Sequence, residues 1–181
     1  MQTAPGTSLS ELPNGRSRPR DRLFGVLVSV ALVVYVLDQV TKGLAVRHLQ
    51  PGTWIPLLGS LLQLRLVRNA GAAFSVATGM TWLLTVVAVV VVLVVIRSAR
   101  RLGSRGWALA LGLLLGGAVG NLTDRLVRPP GIGRGQVVDF IDYAGFFVGN
   151  VADIAIVTAA VLIAALSARG IGLDGGRSGN G

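Results

Sequence analysis

Four long apolar runs constrain the fold of this chain more than any other feature of its sequence. They cover approximately residues 23–46, 80–96, 107–126 and 151–166, with more polar segments between them. A helix that crosses the roughly 30 Å hydrocarbon core of a bilayer needs about 20 apolar residues. Because lipid cannot hydrogen-bond to an open backbone, even the valine-rich second run is predicted to be helical. The predicted fold class is therefore all-α integral membrane, with four transmembrane helices.

Composition supports this class and argues against several kinds of function. Hydrophobic residues make up 52% of the chain, which is unusual for a soluble protein. The net charge of +9 would suit nucleic acid, but the basic residues cluster between the apolar runs, so no nucleic-acid partner is expected. Without cysteine the chain has no thiol nucleophile. With His48 as its only histidine, a histidine-based metal site or a Ser-His triad is disfavoured.

The basic residues also predict how the chain is oriented. Arginines crowd the segment before the first run and the short loop at 97–105, whereas the opposite connectors are longer and carry fewer for their length. Lysine and arginine are enriched in cytoplasmic loops, so both termini are predicted to be cytoplasmic. Residues 1–22 are predicted to be a disordered cytoplasmic tail, residues 23–166 the four-helix membrane domain, and the glycine-rich residues 167–181 a flexible cytoplasmic tail.

Two local patterns refine this fold. Residues 61–68 partly alternate between apolar and polar side chains, which is typical of a strand with one wet face. A small extracytoplasmic β-sheet on the membrane surface is therefore predicted in the connector at 47–78. In the third run, Gly112, Gly116 and Gly120 recur at a spacing of four, which predicts a flat helix face for close packing.

With this topology, polar residues from every part of the chain collect at the outer membrane face. They are Asp38, Asn69, Asn121, Asp124, Arg125, Asp139, Asn150 and Asp153. Asp153 lies within an apolar run, where a carboxylate at the bilayer centre costs roughly 2.5 to 3.5 kcal/mol, so it suggests a function. The structural alternative is that Asp153 interacts with the dipole at the N-terminus of the fourth helix, with Asn150 as a candidate N-cap.

Carboxylates are the catalytic groups that remain after elimination. The chain contains no H-E-x-x-H, G-x-S-x-G or P-loop motif. Lys42 is expected at the wet end of the first helix and lacks an obvious serine partner. Two neighbouring aspartates can share one proton, so that one activates water while the other polarises a carbonyl. Spacing alone does not settle which two acids pair. Asp124 is adjacent to Arg125, which suits a salt bridge, and Asp38 lies one helical turn before Lys42, which suits a structural pair.

Five ordered blocks resemble the bacterial lipoprotein signal peptidase family, signal peptidase II, over residues 23–166. The blocks are Asp38-Gln39-x-Thr41-Lys42, Asn69-x-Gly71-Ala72-Ala73-Phe74-Ser75, Gly116-Gly117-Ala118-x-Gly120-Asn121-x-x-Asp124-Arg125, Val138-Asp139-Phe140 and Asn150-x-Ala152-Asp153. The resemblance implies an aspartyl endopeptidase of the bacterial cytoplasmic membrane. Such an enzyme removes the signal peptide from prolipoproteins whose cysteine carries a diacylglyceryl group.

The resemblance also assigns roles to residues. It implies that Asp139 and Asp153 are the catalytic pair. Polar residues that line the site and hold substrate would be Asn69, Asn121, Arg125 and Asn150, and structural support would come from Asp38, Lys42 and Asp124. Residues 142–147 would form a mobile periplasmic-side lid loop, although Gly149 stands where the family usually has phenylalanine. No metal or cofactor is implied; the expected partners are prolipoproteins with a lipidated cysteine and membrane lipid, and the expected state is a monomer.

Two other functions are compatible with the composition. A small transporter or proton channel could use membrane carboxylates as relays, but its carboxylates should extend along a path through the bilayer. The sequence places none in the cytoplasmic half of the predicted spans. An assembly protein whose glycine face serves only for packing is the third hypothesis.

Overall fold

The computed structural model describes residues 19–71 and 81–177. Its helices are α1 (Pro19–His48), α2 (Thr81–Ala99), α3 (Arg105–Val127) and α4 (Val151–Ala168). All four are long and apolar enough to cross a membrane, which confirms the prediction of four such helices. Most of the predicted N-terminal tail, the small-residue run at 72–75 and residues 178–181 lie outside the described residues.

The outer faces of the helices are apolar and exposed. Leu32, Leu93 and Val157 are each about three-fifths exposed, at 59%, 59% and 62%. All four helices carry such exposed large apolar side chains, which is unusual on a soluble monomer and suits contact with lipid. The chain is therefore a multi-pass membrane protein.

Helix α3 lies at the centre of the bundle and contacts the other three helices. Its glycines face its neighbours at very short range. A Cβ atom on Gly116 would lie 2.6 Å from the carbonyl oxygen of Ala31 in α1, and one on Gly117 would lie 2.6 Å from that of Ala152 in α4. The predicted glycine face therefore exists, and it lets the backbones of α1 and α4 approach α3 closely.

A four-stranded antiparallel sheet joins the helices at one end. Its strands are β1 (Ile55–Leu58), β2 (Leu62–Asn69), β3 (Val137–Tyr143) and β4 (Phe147–Gly149), in the order β1-β2-β3-β4. The strand predicted at 61–68 is confirmed as β2. The assignment of residues 142–147 to a loop is wrong at both ends, because Asp142 and Tyr143 end β3 and Phe147 begins β4. The first four residues of β3 are buried, so this strand lacks the alternation by which β2 was recognised.

Strand pairing brings distant parts of the chain together. Val67 of β2 pairs with Asp139 of β3, and Ile141 of β3 pairs with Gly149 of β4. Helix α4 begins two residues after Gly149. The β3–β4 hairpin therefore returns the chain so that the start of α4 lies beside β3.

The segment after α4 packs against the opposite end of the bundle. The Trp107 side chain donates a hydrogen bond to the Ile171 carbonyl at 2.9 Å, and the Gly103 amide donates to the Leu173 carbonyl at 2.9 Å. Leu173 also packs against the cluster around Leu27 and Val95. These contacts show where the segment lies, and its predicted flexibility stays a prediction.

We expect Gly116→Ala to destabilise the protein by about 1–3 kcal/mol, because its methyl group would overlap the α1 backbone. Gly43→Ala is the matched control. It is also a helical glycine, but among the described residues no atom outside its own helical turn lies within 4 Å of the position that its Cβ atom would occupy. The control should be neutral or stabilising by up to about 1 kcal/mol. Thermal unfolding in detergent measures both variants, and equal stabilities would contradict the close α1–α3 contact.

Candidate active site

Asp139 and Asp153 are held by different elements at the sheet end of the bundle. Asp139 lies in β3 and is only 1% exposed. Asp153 lies in the first turn of α4 and is partly exposed. The β3–β4 hairpin brings this strand and this helix together.

Two amide groups bind the carboxylate of Asp139. The Asn69 side-chain Nδ2 donates to Oδ2 at 2.8 Å, and the Asn150 Nδ2 donates to Oδ1 at 2.7 Å. The Oδ1 of Asn69 accepts from the Gly71 amide at 2.7 Å, which orients its NH₂ group toward Asp139. Both carboxylate oxygens of a buried acid are therefore satisfied.

Asp153 binds the polar groups at the start of its own helix. Its Oδ2 accepts from the Asn150 backbone amide at 3.1 Å, and Asn150 Oδ1 accepts from the Asp153 amide at 3.0 Å. This reciprocal pair is a capping box, so the predicted N-cap at Asn150 is confirmed. Asp153 therefore does lie at the N-terminus of α4, as its structural alternative required. The other oxygen of Asp153, Oδ1, accepts from Asn121 Nδ2 at 2.9 Å.

Asn150 links the two aspartates. Its side chain donates to Asp139 while its backbone and Oδ1 bind Asp153, and it also donates to Asn121 Oδ1 at 3.3 Å. The two acids therefore belong to one hydrogen-bonded cluster, and we call them the aspartate pair. The spacing of the acids along the sequence did not show which two of them lie together.

The pKa of Asp139 reflects this environment. Burial raises it from 3.8 to about 6, against the hydrogen bond from Asn69, which lowers it. The charge of Asp153 raises the same pKa, whereas the Asn150 hydrogen bond and the charge of Lys42 lower it. A carboxyl group with such a pKa exchanges its proton near neutral pH, as acid–base chemistry requires.

Lys42 is buried beside this cluster, not at the wet end of α1 as its sequence position suggests. Helix α1 continues for roughly one and a half turns beyond it, and both Lys42 and Asp38 are fully buried. The Lys42 Nζ lies 2.7 Å from Asp38 Oδ2, which confirms the predicted i,i+4 pair. It also lies 3.1 Å from Asp124 Oδ2 and donates to Asn121 Oδ1 at 2.9 Å.

Asp124 has different partners from the one expected. Its carboxylate pairs with Lys42 and with Arg128, whose Nε lies 2.6 Å from Oδ1, rather than with the adjacent Arg125. Side chains at i and i+4 share a helix face, whereas sequence neighbours point apart, so helical spacing could have identified Arg128. Gln39 has a role that the sequence did not indicate. It donates to Asp38 Oδ2 at 3.0 Å and to the Gly120 carbonyl at 3.1 Å.

Arg125 is buried near the aspartate pair with a free donor. It is 8% exposed, and in the part of the chain that is described its Nη1 has no hydrogen-bond partner. It lies close enough to Asp139 and Asp153 to interact with their charges. A buried N–H without a partner is costly, so this group is suited to bind an acceptor that enters the site.

The β3–β4 hairpin lies next to Asp153. A Cβ atom on Gly149 would lie 2.6 Å from the ring of Phe147 and 3.1 Å from Asp153 Oδ2, so glycine leaves room for this ring. The Phe147 ring stacks on Tyr143 with centroids 6.1 Å apart. Burial raises the pKa of Tyr143, and the charge of Asp153 raises it further. The exposed tip of the hairpin carries Phe146, which is 95% exposed.

The geometry thus unites every residue that the sequence placed at the outer face. Among residues 19–71 and 81–177, no group of three or more His, Cys, Asp or Glu side chains is arranged to hold a metal ion. The arrangement offers two carboxyl groups for proton transfer and amide and guanidinium donors around them.

Comparison with known proteins gives the family. The model of the family described as signal peptidase (SPase) II matches residues 30–169. The lipoprotein signal peptidase of Rhodococcus jostii (strain RHA1) is 53% identical over 154 residues, which is 85% of this chain and 78% of that protein. The lipoprotein signal peptidase of Mycobacterium avium (strain 104) is 48% identical over 169 residues, covering 92% and 93% of the two chains.

A solved structure shares the fold as well. It is described as a bacterial membrane enzyme, aligns with a TM-score of 0.70 at 26% identity, and covers 79% of this chain and 92% of its own. The family match spans most of the chain, including every residue of the cluster around the aspartate pair. The chain therefore belongs to the signal peptidase II family, whose members are membrane proteases that process lipoproteins.

Proposed function

We propose that this protein is an aspartyl endopeptidase that cleaves diacylglyceryl-modified prolipoproteins on the N-terminal side of the lipidated cysteine. The observation that carries the proposal is the aspartate pair: Asn150 binds both Asp139 and Asp153, and the charge of one acts on the other. Two acids at such a site do not ionise independently, so they hold one proton between them over a range of pH.

The proposed mechanism uses this shared proton. The ionised carboxylate removes a proton from a water molecule, and the resulting hydroxide attacks the scissile carbonyl carbon. The protonated carboxyl group donates a hydrogen bond to the carbonyl oxygen and stabilises the developing negative charge. When the C–N bond breaks, a carboxyl group returns a proton to the amine of the lipidated cysteine. We assign the shared proton to the pair and not to one residue.

The neighbouring polar residues have separate proposed roles. Asn69, Asn121 and Asn150 keep the carboxylates in place through the hydrogen bonds described above. Arg125 is proposed to donate from Nη1 to a backbone carbonyl of the substrate, because this buried donor is open. Such contacts would hold the scissile bond against the aspartate pair.

The proposed membrane placement has both termini in the cytoplasm and the active site near the outer face. Its support is the separation of charge: in the described part of the chain, Arg20, Arg22 and the arginines at 97–105 lie at the end of the bundle opposite the sheet. The enzyme is proposed to act as a monomer, and its apolar helix faces would let a lipid-anchored substrate approach by lateral diffusion. The β3–β4 hairpin, with Phe146 at its tip, is proposed as the lid.

A relay through the bilayer is less well supported. A proton channel needs ionisable groups along its path. In the described residues, Asp38, Asp124, Asp139, Asp142 and Asp153 belong to the sheet end, whereas Asp21 and Asp174 belong to the opposite end. This grouping favours one localised site.

We expect Asp139→Asn and Asp153→Asn each to reduce cleavage of a diacylglyceryl prolipoprotein in detergent by at least about a thousandfold. The amide can no longer exchange the shared proton, although it has the shape of the carboxylate. Asp21→Asn, which changes an acid at the other end of the bundle, is the control and should retain activity.

Unfolding temperatures should show that both variants are folded, and full activity in either would remove the assignment. EDTA should not inhibit the enzyme, because no step requires a metal ion. Inhibition that zinc reverses would point to a metal-dependent mechanism instead.

We expect cleavage to have a bell-shaped pH profile whose alkaline limb reports loss of the shared proton. Asn69→Ala removes a hydrogen bond that stabilises ionised Asp139 and so raises its pKa above about 6. Because the protonated form then persists to higher pH, the alkaline limb should move up by roughly one unit.

The measurement is kcat/KM against pH for Asn69→Ala, with Gln63→Ala in the same strand as control. Gln63 pairs with Asp142, away from the aspartate pair, so its profile should match the wild type. An alkaline limb that stays in place or moves down in Asn69→Ala would contradict the role given to Asp139.

A further inference from the structure

We propose that Lys42 is a positioning residue that fixes the relative positions of Asp139 and Asp153 through three contacts of its buried ammonium group, which together we call the Lys42 clamp. The clamp consists of Lys42, Asp38, Asp124 and Asn121. This inference rests on the proposed function, since it treats the two aspartates as the catalytic pair. Lys42, Asp38 and Asp124 are fully buried and need not touch the substrate.

The first arm runs to Asp153. Lys42 Nζ lies 2.7 Å from Asp38 Oδ2, and Asp38 Oδ1 accepts from the Ala152 amide at 3.0 Å. Ala152 directly precedes Asp153 at the start of α4. Asp38 therefore fixes the backbone from which the Asp153 side chain extends, and Lys42 holds Asp38.

The second arm runs to Asp139 in the same way. Lys42 Nζ lies 3.1 Å from Asp124 Oδ2, and the same oxygen accepts from the Val138 amide at 3.1 Å. Val138 directly precedes Asp139 in β3. One ammonium group thus holds two carboxylates, and each carboxylate holds the residue before one member of the aspartate pair.

The third arm orients an amide. Lys42 Nζ donates to Asn121 Oδ1 at 2.9 Å, which leaves Asn121 Nδ2 facing Asp153 Oδ1 at 2.9 Å. The opposite orientation would place an amide oxygen against a carboxylate and an NH₂ group against the ammonium. Lys42 therefore determines which end of this amide Asp153 meets.

The chemistry of the residue fits these three arms. An ammonium group has three donors around one atom, and each of the three arms uses one of them. The clamp is fully desolvated at Lys42, Asp38 and Asp124, so each contact is difficult to replace with water. Lys42 is also the only lysine among the 17 Lys and Arg residues of the chain. A planar guanidinium could not reach three acceptors in the same geometry.

The charge of Lys42 also acts on the pair, because it lowers the pKa of Asp139. Other charged groups surround the same region from α1, α3, β3 and α4. They are Asp38, Asp124, Arg125, Arg128, Asp139 and Asp153. The effect of the contacts of Lys42 can be separated from the effect of its charge, because Lys42→Arg keeps the charge and Lys42→Met removes it.

For Lys42→Met we expect kcat to fall at least about tenfold with KM within about threefold, because the pair is misplaced while substrate contacts remain. Its alkaline limb should move to higher pH, since Asp139 loses a nearby positive charge. For Lys42→Arg we expect a similar loss of kcat with the alkaline limb unchanged. If Lys42 served only to keep the protein folded, both variants would retain the wild-type pH profile and the wild-type kcat per folded molecule.

A second variant covers the case in which Lys42→Met fails to fold. Lys42→Met with Asp38→Asn removes one charge of each sign and leaves an acceptor for the Ala152 amide, so the buried charges stay balanced. This double variant should fold and still lose kcat at least about tenfold. Wild-type kcat in the folded double variant would overturn the clamp.

A direct readout needs no activity. Full-length protein labelled at the lysine side chain gives one NMR signal, from Lys42, and this signal should shift as the aspartate pair titrates. The shift should disappear when both acids are replaced, in Asp139→Asn combined with Asp153→Asn, and a signal that does not change with pH in the wild type would overturn the coupling. If Asp139→Asn cleaves normally, the proposed function fails; if it is inactive while both Lys42 variants match the wild type, only the clamp fails.

Discussion

The placement of two carboxylates that bind the same asparagine in a largely buried site determines which residues must surround them. Their charges repel, and burial removes the water that would stabilise them, so their oxygens need donors from the protein. Three asparagines supply most of these donors to Asp139 and Asp153. Each asparagine is itself oriented by a donor to its Oδ1, from the Gly71 amide, from Lys42 or from the Asp153 amide.

Close helix packing makes this polar arrangement possible within an apolar bundle. A Cβ atom on Gly120 would lie 2.6 Å from Asp38 Oδ2, so a larger residue would push α1 away from α3. Asp38 and Lys42 come from α1, whereas Asn121 and Asp124 come from α3. The same glycines that allow dense packing in lipid therefore also bring the charged residues within hydrogen-bonding distance, which links the stability of the bundle to the geometry of the site.

The sheet positions residues of the site. Its central pair, β2 and β3, places Asn69 and Asp139 on neighbouring strands, and the β3–β4 hairpin returns the chain to α4. The proposed chemistry thus occurs where a sheet, a helix N-terminus and two further helices meet. A lipid-anchored substrate would find its scissile bond at this same boundary between apolar and polar surroundings.

Local spacing and ordered motifs were enough to predict the four helices, the strand at 61–68, the Asp38–Lys42 pair, the Asn150 cap and the family. The predictions for the residues of β3 and for the surroundings of Lys42 and Asp124 were wrong. A strand buried on both faces shows no alternation, and the burial of a lysine depends on which helix covers it. Two features became visible only in three dimensions: Asp139 and Asp153 both bind Asn150, and Lys42 contacts both Asp38 and Asp124. Such juxtapositions arise from helix approach and strand register, which separation along the chain does not encode.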